Sequence, residues 1–306
     1  MLLFKKKNPN KIKDTVGDRV FHAFTTFFLL FILVVVGYPV IYVVSCSFSS
    51  DEALNVGRVL FLPVEPTLDG YKFVFQFKRI WLGYRNSVFY TIFGVTLSMI
   101  FQTLAAYPLS RTTYQGRNMF MKIFFFTTMF GAGLIPTYMV KSALGLVDTV
   151  WTVLLSGTVG VSNVIILRTA FRSTVPSELY DAAAIDGASE FQTMMQIAIP
   201  LVKATLSTLM LYAAVGSWNE YFTSMIYLRN ENLYPLQLFL RTILTTAQSL
   251  GAEAAGGSKD ALENITKGVQ QIQYALIVVA TVPVLLLYFV VQTSFKKGVM
   301  IGSVKG

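Results

Sequence analysis

Six apolar stretches dominate the chain, and each is close to the ~20 residues that an α-helix needs to cross a bilayer. They are residues 21–49, 86–107, 119–140, 149–167, 204–228 and 272–293. Inside lipid every backbone N–H and C=O must be paired within its own segment, so these stretches are expected to be helical. Charged residues are 13% of the chain, against about a quarter in soluble domains. The sequence therefore predicts an all-α integral membrane protein with six transmembrane helices in residues 21–294.

Charge is distributed unevenly between the segments that connect these stretches. Lys and Arg cluster in the tail 1–20, in the turn 108–118, on both flanks of the segment 174–200, and in the tail 295–306. In loops 50–85 and 229–271 the charges roughly cancel. Cytoplasmic segments are enriched in Lys and Arg, so both termini are predicted to be cytoplasmic and the two balanced loops extracellular. The net charge of +9 is thus assigned to orientation in the membrane, and nucleic acid is not an expected partner.

The basic first residues raise the alternative of a signal peptide. The apolar run that follows is longer than a signal core and has no small-residue cleavage site, which favours a first membrane span. Few residues suit catalysis, since the chain has one cysteine, Cys46, and one histidine, His22. A disulfide framework, a cysteine metal site and a histidine cluster are therefore excluded. The Gly-rich segment 251–257 lacks the lysine of a phosphate-binding loop. We expect no enzyme activity and no cofactor in this chain.

The segment 174–200 is the longest polar interruption on the predicted cytoplasmic side. Pro176 suits the first turn of a helix, where its missing N–H costs little. Leu179, Ala182 and Ala183 follow at i, i+3 and i+4 and would form one apolar face. The pattern predicts a short helix that begins near Pro176.

A turn and a second helix are predicted next. Asp186-Gly187 ends the first helix, because Gly accepts the left-handed backbone of a C-terminal cap. Ser189 and Gln192 have the spacing of a capping box, which starts a new helix. Pro200 is expected to end this second helix just before the next apolar stretch.

The acidic residues of this helix pair help to separate two interpretations. They are Glu178, Asp181, Asp186 and Glu190. An interfacial helix pair lying on lipid would be expected to carry Lys and Arg, because the inner leaflet is anionic. Short amphipathic helices also dock into grooves of other proteins, which suits an acidic surface better. From the residues alone both interpretations stay open.

The same segment resembles the EAA loop of the permease subunits of bacterial ABC importers. That loop has Glu-Ala-Ala, three residues, Gly, nine residues, Ile, one residue and Leu-Pro. Here the matching residues are Asp181, Ala182, Ala183, Gly187, Ile197, Ile199 and Pro200. Asp181 replaces Glu and Ile199 replaces Leu, and both changes keep the chemical type. The resemblance implies that the segment is a coupling helix seated in a cleft of an ATP-binding subunit, with Glu178 among the coupling residues.

The C-terminal tail carries a second resemblance. Residues 298–306 match the Gly-x-x-x-Gly-x-Val-Lys-Gly ending of sugar-importer permeases. In the maltose importer that tail reaches between the two ATPase subunits. The resemblance implies that Gly302, Ser303, Val304, Lys305 and Gly306 contact the ATPases. Taken alone, the basic tail could be only a positive-inside anchor.

The fifth apolar stretch contains a carboxylate, which is costly inside a membrane and therefore a functional candidate. This residue is Glu220, and it follows Trp218 and Asn219. An aromatic face, an amide and a carboxylate suit a sugar, so these three residues are candidates for the substrate pathway. Alternatively, Glu220 lies at a membrane edge or pairs with another helix.

Small residues interrupt the third apolar stretch at Gly131-Ala132-Gly133, with Pro136 close behind. They are compatible with a broken helix near a binding site or with close packing of two helices through small residues. We favour close packing.

Together these features are interpreted as a multi-pass permease subunit of an ABC importer in a bacterial plasma membrane. Its cargo is expected to be a sugar of the oligosaccharide class. The resemblance implies a second permease in a heterodimer, two ATP-binding subunits that hold ATP and Mg²⁺, an extracellular solute-binding protein and surrounding membrane lipid. The alternative is a gradient-driven secondary transporter, for which Glu220 is the one candidate ion site. A membrane scaffold or sensor would need a soluble signalling domain, and the sequence shows none.

Overall fold

A computed structural model describes residues 15–254 and 269–302, and every regular element in these ranges is helical. The helices are α1 (Val16–Ser47), α2 (Asp51–Asn55), α3 (Asp69–Gln76), α4 (Lys78–Ser110), α5 (Arg117–Met129), α6 (Leu134–Ala143), α7 (Val150–Leu154), α8 (Val161–Thr174), α9 (Ser177–Ile185), α10 (Glu190–Thr193), α11 (Ile199–Leu201), α12 (Lys203–Trp218), α13 (Phe222–Tyr227), α14 (Leu236–Ala254) and α15 (Val269–Gly302). A π-helical turn, Met194–Ala198, joins α10 to α11.

Helix α4 lies at the centre of the described chain and packs on α8, α12 and α14. One core forms where α4, α8, the 190–201 helices and α12 meet, around the fully buried Leu167 and Phe171. A second core forms around Leu236 and Leu276, which bring α14 and α15 against α4 and α12. Helix α1 packs mainly on α15 and stays outside both cores.

Two helices, α1 and α4, are long and apolar enough to cross a membrane without a break. They match the first two predicted spans. Two further pairs qualify only if each bent pair is one span: α5 with α6, bent by 117°, and the 190–201 helices with α12, bent by 82°. The fourth predicted span is divided into α7 and α8. By length and composition the described residues thus contain two to four spans, and the count of six stays a prediction.

The third apolar stretch differs from the expected close packing of small residues. Helix α5 ends at Met129 and α6 begins at Leu134, so the chain leaves the helix through Gly131 and Gly133. Among the described residues, no atom outside the adjoining ones lies within 4 Å of the position that a Cβ would take at either glycine. The broken helix is therefore the arrangement observed, with a bend of 117°, and the small residues do not pack closely against another helix of this chain in the described residues.

The connection 229–271 also differs from the expected polar loop. Its residues Leu236–Ala254 form α14, which buries Leu236 and Leu240 against α4 and α15. The apolar residues recur at helical spacing, with Ile243 and Leu244 packed against the same core. The first part of α14, as far as Leu244, is therefore packed on the bundle.

Candidate functional site

The segment 174–200, which we call the docking loop, folds as two short helices joined by a turn. Helix α9 begins directly after Pro176, whose backbone is extended. It ends at Asp186, and Gly187 has φ = +74°. In the part of the chain that the structure describes, no atom beyond the two neighbouring residues lies within 4 Å of a Cβ added at Gly187. The turn therefore requires glycine for its backbone conformation and not for space. The predicted first helix and turn are confirmed.

The predicted capping box is also present. The Ser189 N–H donates to Gln192 Oε1 at 2.8 Å, and the Gln192 N–H donates to Ser189 Oγ at 3.3 Å. The helix continues through the π-helical turn to Pro200, and the chain then bends by 82° into α12. The second helix and its end at Pro200 therefore follow the sequence prediction.

The docking loop attaches to the bundle by one side and leaves large apolar side chains exposed on the other. Ala183 and Met194 are buried against the core formed by α4 and α8. In contrast, Ile185 is 86% exposed and Phe191 is 63% exposed. Exposed apolar side chains of this size on a short polar loop are typical of a surface that another protein covers.

The residues that the EAA resemblance singled out fall on both sides of the loop. Ala183 is buried, and Ile197 and Ile199 are half-buried, so these three help to fix the loop to the bundle. The other five are exposed: Glu178, Asp181, Ala182, Gly187 and Pro200. The predicted apolar face of α9 is therefore divided, since Leu179 and Ala182 point outward while Ala183 points inward.

Glu190 was expected to be one of the outward acids, and the structure turns it onto its own chain. The Tyr107 hydroxyl donates to Glu190 Oε2 at 2.9 Å, and Arg111 Nη2 lies 3.4 Å from Glu190 Oε1. The Arg111 guanidinium also covers the ring of Tyr180, 3.6 Å from its centroid. Burial raises the pKa of Tyr180 above its ordinary value, so its hydroxyl stays neutral at physiological pH.

A cavity of about 350 Å³ lies inside the bundle, between α4, α7, α8 and α12. Its polar lining includes Tyr90, Ser98, Ser156, Asn163, Ser217, Glu220 and Thr223. Glu220 was predicted as a pathway residue and does line this space. One of its carboxylate oxygens accepts the Thr223 N–H at 2.6 Å, and this bond supports the start of α13.

The other two candidates for the substrate pathway lie elsewhere. Trp218 is 2% exposed, packs in the second core and donates from Nε1 to the Ala280 carbonyl at 3.1 Å. Asn219 donates from Nδ2 to the Val215 carbonyl at 2.9 Å, which satisfies a carbonyl at the end of α12. Neither residue lines the cavity. Their part in the substrate pathway stays a prediction.

Lys141 adjoins the cavity and was not recognised from the sequence. Its ammonium donates to Ser156 Oγ at 2.6 Å, and Ser156 lines the cavity wall. The same ammonium lies 4.0 Å from the ring centroid of Tyr227. In the sequence, Lys141 is a lysine at the end of an apolar stretch, a position that is also typical of a residue anchoring a span at the membrane interface.

The turn that follows α6 is held to the end of α13 and the segment after it by Asp148, whose backbone N–H donates to the Tyr227 carbonyl at 2.8 Å. Asp148 accepts the backbone N–H groups of Arg229 and Asn230, each at 2.8 Å. These two bonds lower the pKa of Asp148 below its ordinary value, and the nearby Arg229 charge adds to the effect. The carboxylate thus stabilises the junction of two chain segments that are 81 residues apart.

The tail predicted to contact the ATPases is described only in its backbone at Gly302, the last residue of α15. The expected contact residues Ser303, Val304, Lys305 and Gly306 lie outside the described residues. Within residues 15–254 and 269–302, no group of three or more His, Cys, Asp or Glu side chains lies together as a metal site would require.

Comparisons with known proteins cover nearly the whole chain, although no family model matches it. Protein LplC of Bacillus subtilis (strain 168) is 34% identical over 293 residues, which are 96% of this chain and 97% of LplC. The polygalacturonan/rhamnogalacturonan transport system permease protein YtcP of the same organism is 35% identical over 291 residues, 94% of this chain and 99% of YtcP. A solved bacterial ABC transporter involved in the import of the acidic polysaccharide alginate has a chain with 33% identity and a TM-score of 0.83, covering 93% of this chain and 100% of that one.

Proposed function

This chain belongs to the permease subunits of ABC carbohydrate importers, and from this premise we propose that it carries an oligosaccharide across the plasma membrane, driven by ATP-binding partner subunits. The observation that carries the proposal is the docking loop. Its paired helices keep the EAA spacing and expose apolar side chains next to Asp181 and Glu178. A loop of this form needs a partner, and in this family the partner is an ATPase.

Each partner has its own support in the proposal. The ATPases would cover Ile185 and Phe191 and would bind ATP and Mg²⁺ themselves. A second permease would complete the passage, with lipid around the pair. This is supported by α5 and α6, which bury none of their residues in the described chain, and by the apolar window of α1, which is 0% buried. A solute-binding protein would deliver the sugar on the outer side.

The internal cavity would form this chain's part of the sugar pathway. Its hydroxyl, amide and carboxylate groups match the hydrogen-bonding surface of a sugar. Its volume of about 350 Å³ lies within the usual range of ligand sites. YtcP is named for the transport of polygalacturonan and rhamnogalacturonan, and a protein of Halalkalibacterium halodurans that is 28% identical is named for arabinooligosaccharides. Both neutral and uronate-containing oligosaccharides are therefore candidate substrates.

The experiment that tests the proposal is purification from native membranes in mild detergent, followed by uptake assays in liposomes. We expect a second permease and an ATPase in stoichiometric amounts, and uptake that needs ATP and survives collapse of the ion gradient. Labelled neutral and acidic oligosaccharides would distinguish the two substrate classes. Recovery of this chain without an ATPase, with uptake abolished by an uncoupler, would favour the gradient-driven alternative instead.

A further inference from the structure

Besides the apolar packing of Ala183 and Met194, the docking loop is joined to the bundle at three places. Two are covalent, through the buried Val175 after α8 and through the buried Val202 before α12. The third consists of side chains from two otherwise separate parts of the chain. These are Tyr107 and Arg111 at the end of α4, Tyr180 on α9 and Glu190 on α10, and together we call them the α4 clamp.

The geometry of the α4 clamp fixes both helices of the docking loop to one helix of the bundle. Glu190 is held by the hydroxyl of Tyr107 and by the guanidinium of Arg111. Arg111 at the same time covers the ring of Tyr180 at 3.6 Å, a cation–π contact at close range. Because Arg111 touches both α9 and α10, a movement of either helix pulls on the end of α4.

Helix α4 connects this clamp directly to the cavity. It runs without a break from Lys78 to Ser110, and Tyr90, Gly94, Val95 and Ser98 on it line the cavity wall. At 1.5 Å per residue, the step from Tyr107 to Ser98 is only about 14 Å along the helix axis. A packed helix of this length moves as a rigid body over such a distance, so displacement at the clamp displaces the cavity wall.

The strength of the contact between Arg111 and Glu190 depends on how far water reaches the two side chains. The Arg111 side chain is 16% exposed, whereas the Glu190 side chain is 68% exposed. Water weakens the attraction of an exposed ion pair. A protein seated on the docking loop would exclude water from Glu190 and lower the local dielectric, which strengthens the same contact. The clamp therefore tightens when the docking loop is occupied.

We propose that the α4 clamp is the joint through which movement of the docking loop reaches the cavity, with Tyr107, Arg111, Tyr180 and Glu190 as positioning residues. This inference rests on the proposed function, because it assumes an ATPase on the docking loop. The inference adds a route through α4 to the proposed function. Helix α4 lies far from the docking loop in the sequence, so movement reaches it through side-chain contacts alone.

The test compares variants of the complete importer, with its partner subunits and binding protein, in liposomes. Tyr107→Phe removes one hydroxyl, Glu190→Gln removes one charge, and the double variant removes both. Arg111→Lys keeps the charge but loses the planar group that covers Tyr180. The matched control is Asp69→Asn, which removes an acid from an exposed ion pair with Lys72 on α3, away from the docking loop. Transport and ATP hydrolysis are measured together, with the yield of assembled complex.

We expect Glu190→Gln to keep assembly and ATP hydrolysis but to lower the sugar transported per ATP by about tenfold, equivalent to about 1.4 kcal/mol. Since both residues act in one joint, the double variant should be no worse than the worse single variant. Equal losses of assembly, hydrolysis and transport would show a merely structural contact and overturn the inference, as would unchanged coupling in all four clamp variants. A wild-type complex without ATP-driven uptake would instead overturn the proposed function.

Discussion

Gly187 is the position of the docking loop where one substitution gives the sharpest prediction. Its φ of +74° lies in the left-handed region, and no atom lies within 4 Å of an added Cβ. The cost of a side chain there is therefore conformational, roughly 1–2 kcal/mol for an ordinary residue. Asn tolerates this region and should cost less, whereas the β-branched Val should cost more.

The expected result is a graded loss of coupling in the order Gly187→Asn, Gly187→Ala and Gly187→Val. A penalty of this size shifts the balance between the native turn and a relaxed loop by a factor of roughly 5 to 30. The permease should remain in the membrane in normal amount, because Gly187 is exposed and touches nothing in the core. Sugar uptake per ATP hydrolysed, measured in reconstituted complexes, should fall along the series.

A control separates the docking loop from general backbone strain. Gly57 has a similar φ of +71° and equally empty surroundings, but it lies outside the docking loop, just after α2. Gly57→Val should leave coupling unchanged. Normal coupling in Gly187→Val would refute the reasoning, and so would an Asn variant as defective as the Val variant, because backbone conformation would then not be the cause.

Three further predictions concern other parts of the molecule. Asp148→Asn should make the melting temperature fall less steeply with decreasing pH. The pKa of Asp148 is lowered from 3.8, so the stabilisation by its carboxylate is complete above that value and is lost as the pH falls through the lowered pKa. If the melting temperature fell equally between pH 7 and pH 3 in the variant and the wild type, this prediction would be contradicted. Glu220→Gln should raise the half-saturating sugar concentration about tenfold, as for a lost hydrogen bond to a charged group, without reducing ATP hydrolysis; unchanged uptake would remove Glu220 from the pathway. Ile185→Asp should weaken ATPase docking, because this side chain is 86% exposed and apolar, and full recovery of the ATPase on the purified variant would count against the docking surface.

Local signals made the docking loop predictable from sequence. A proline at the start, a glycine at the turn and a Ser-x-x-Gln pair each act on neighbouring backbone, so Pro176, Gly187 and Ser189 fix the two helices without help from the rest of the chain. The α4 clamp could not be found in this way. Tyr107 and Glu190 are 83 residues apart in the sequence, and nothing in either neighbourhood indicates the other.

The differences between expectation and structure have physical causes of the same kind. A cluster of glycines is compatible with tight packing and with a break, and the 117° bend between α5 and α6 decides for the break. Trp218 lies two residues before Glu220 and suggested a sugar site with it, yet α12 ends at Trp218 and Glu220 lies in the connection to α13, so the two side chains do not share a helix face. Glu220 therefore lines the cavity while Trp218 packs against α15.

The central place of α4 follows from the chemistry of its two faces. Its buried face carries Asn86 and Gln102, which would be costly in lipid and whose amide nitrogens instead find acceptors inside the protein. Asn86 Nδ2 donates to the Asn232 carbonyl at 2.7 Å, and Gln102 Nε2 donates to Ser98 Oγ at 2.7 Å. Its outer face is apolar, with Phe93 exposed. A span with one polar face must be surrounded on that face by other helices, whereas α1 lacks such a face and can lie at the edge. The same polar face that places α4 in the centre also supplies the cavity wall, so the helix best positioned to receive movement from the docking loop is one that the sugar would meet.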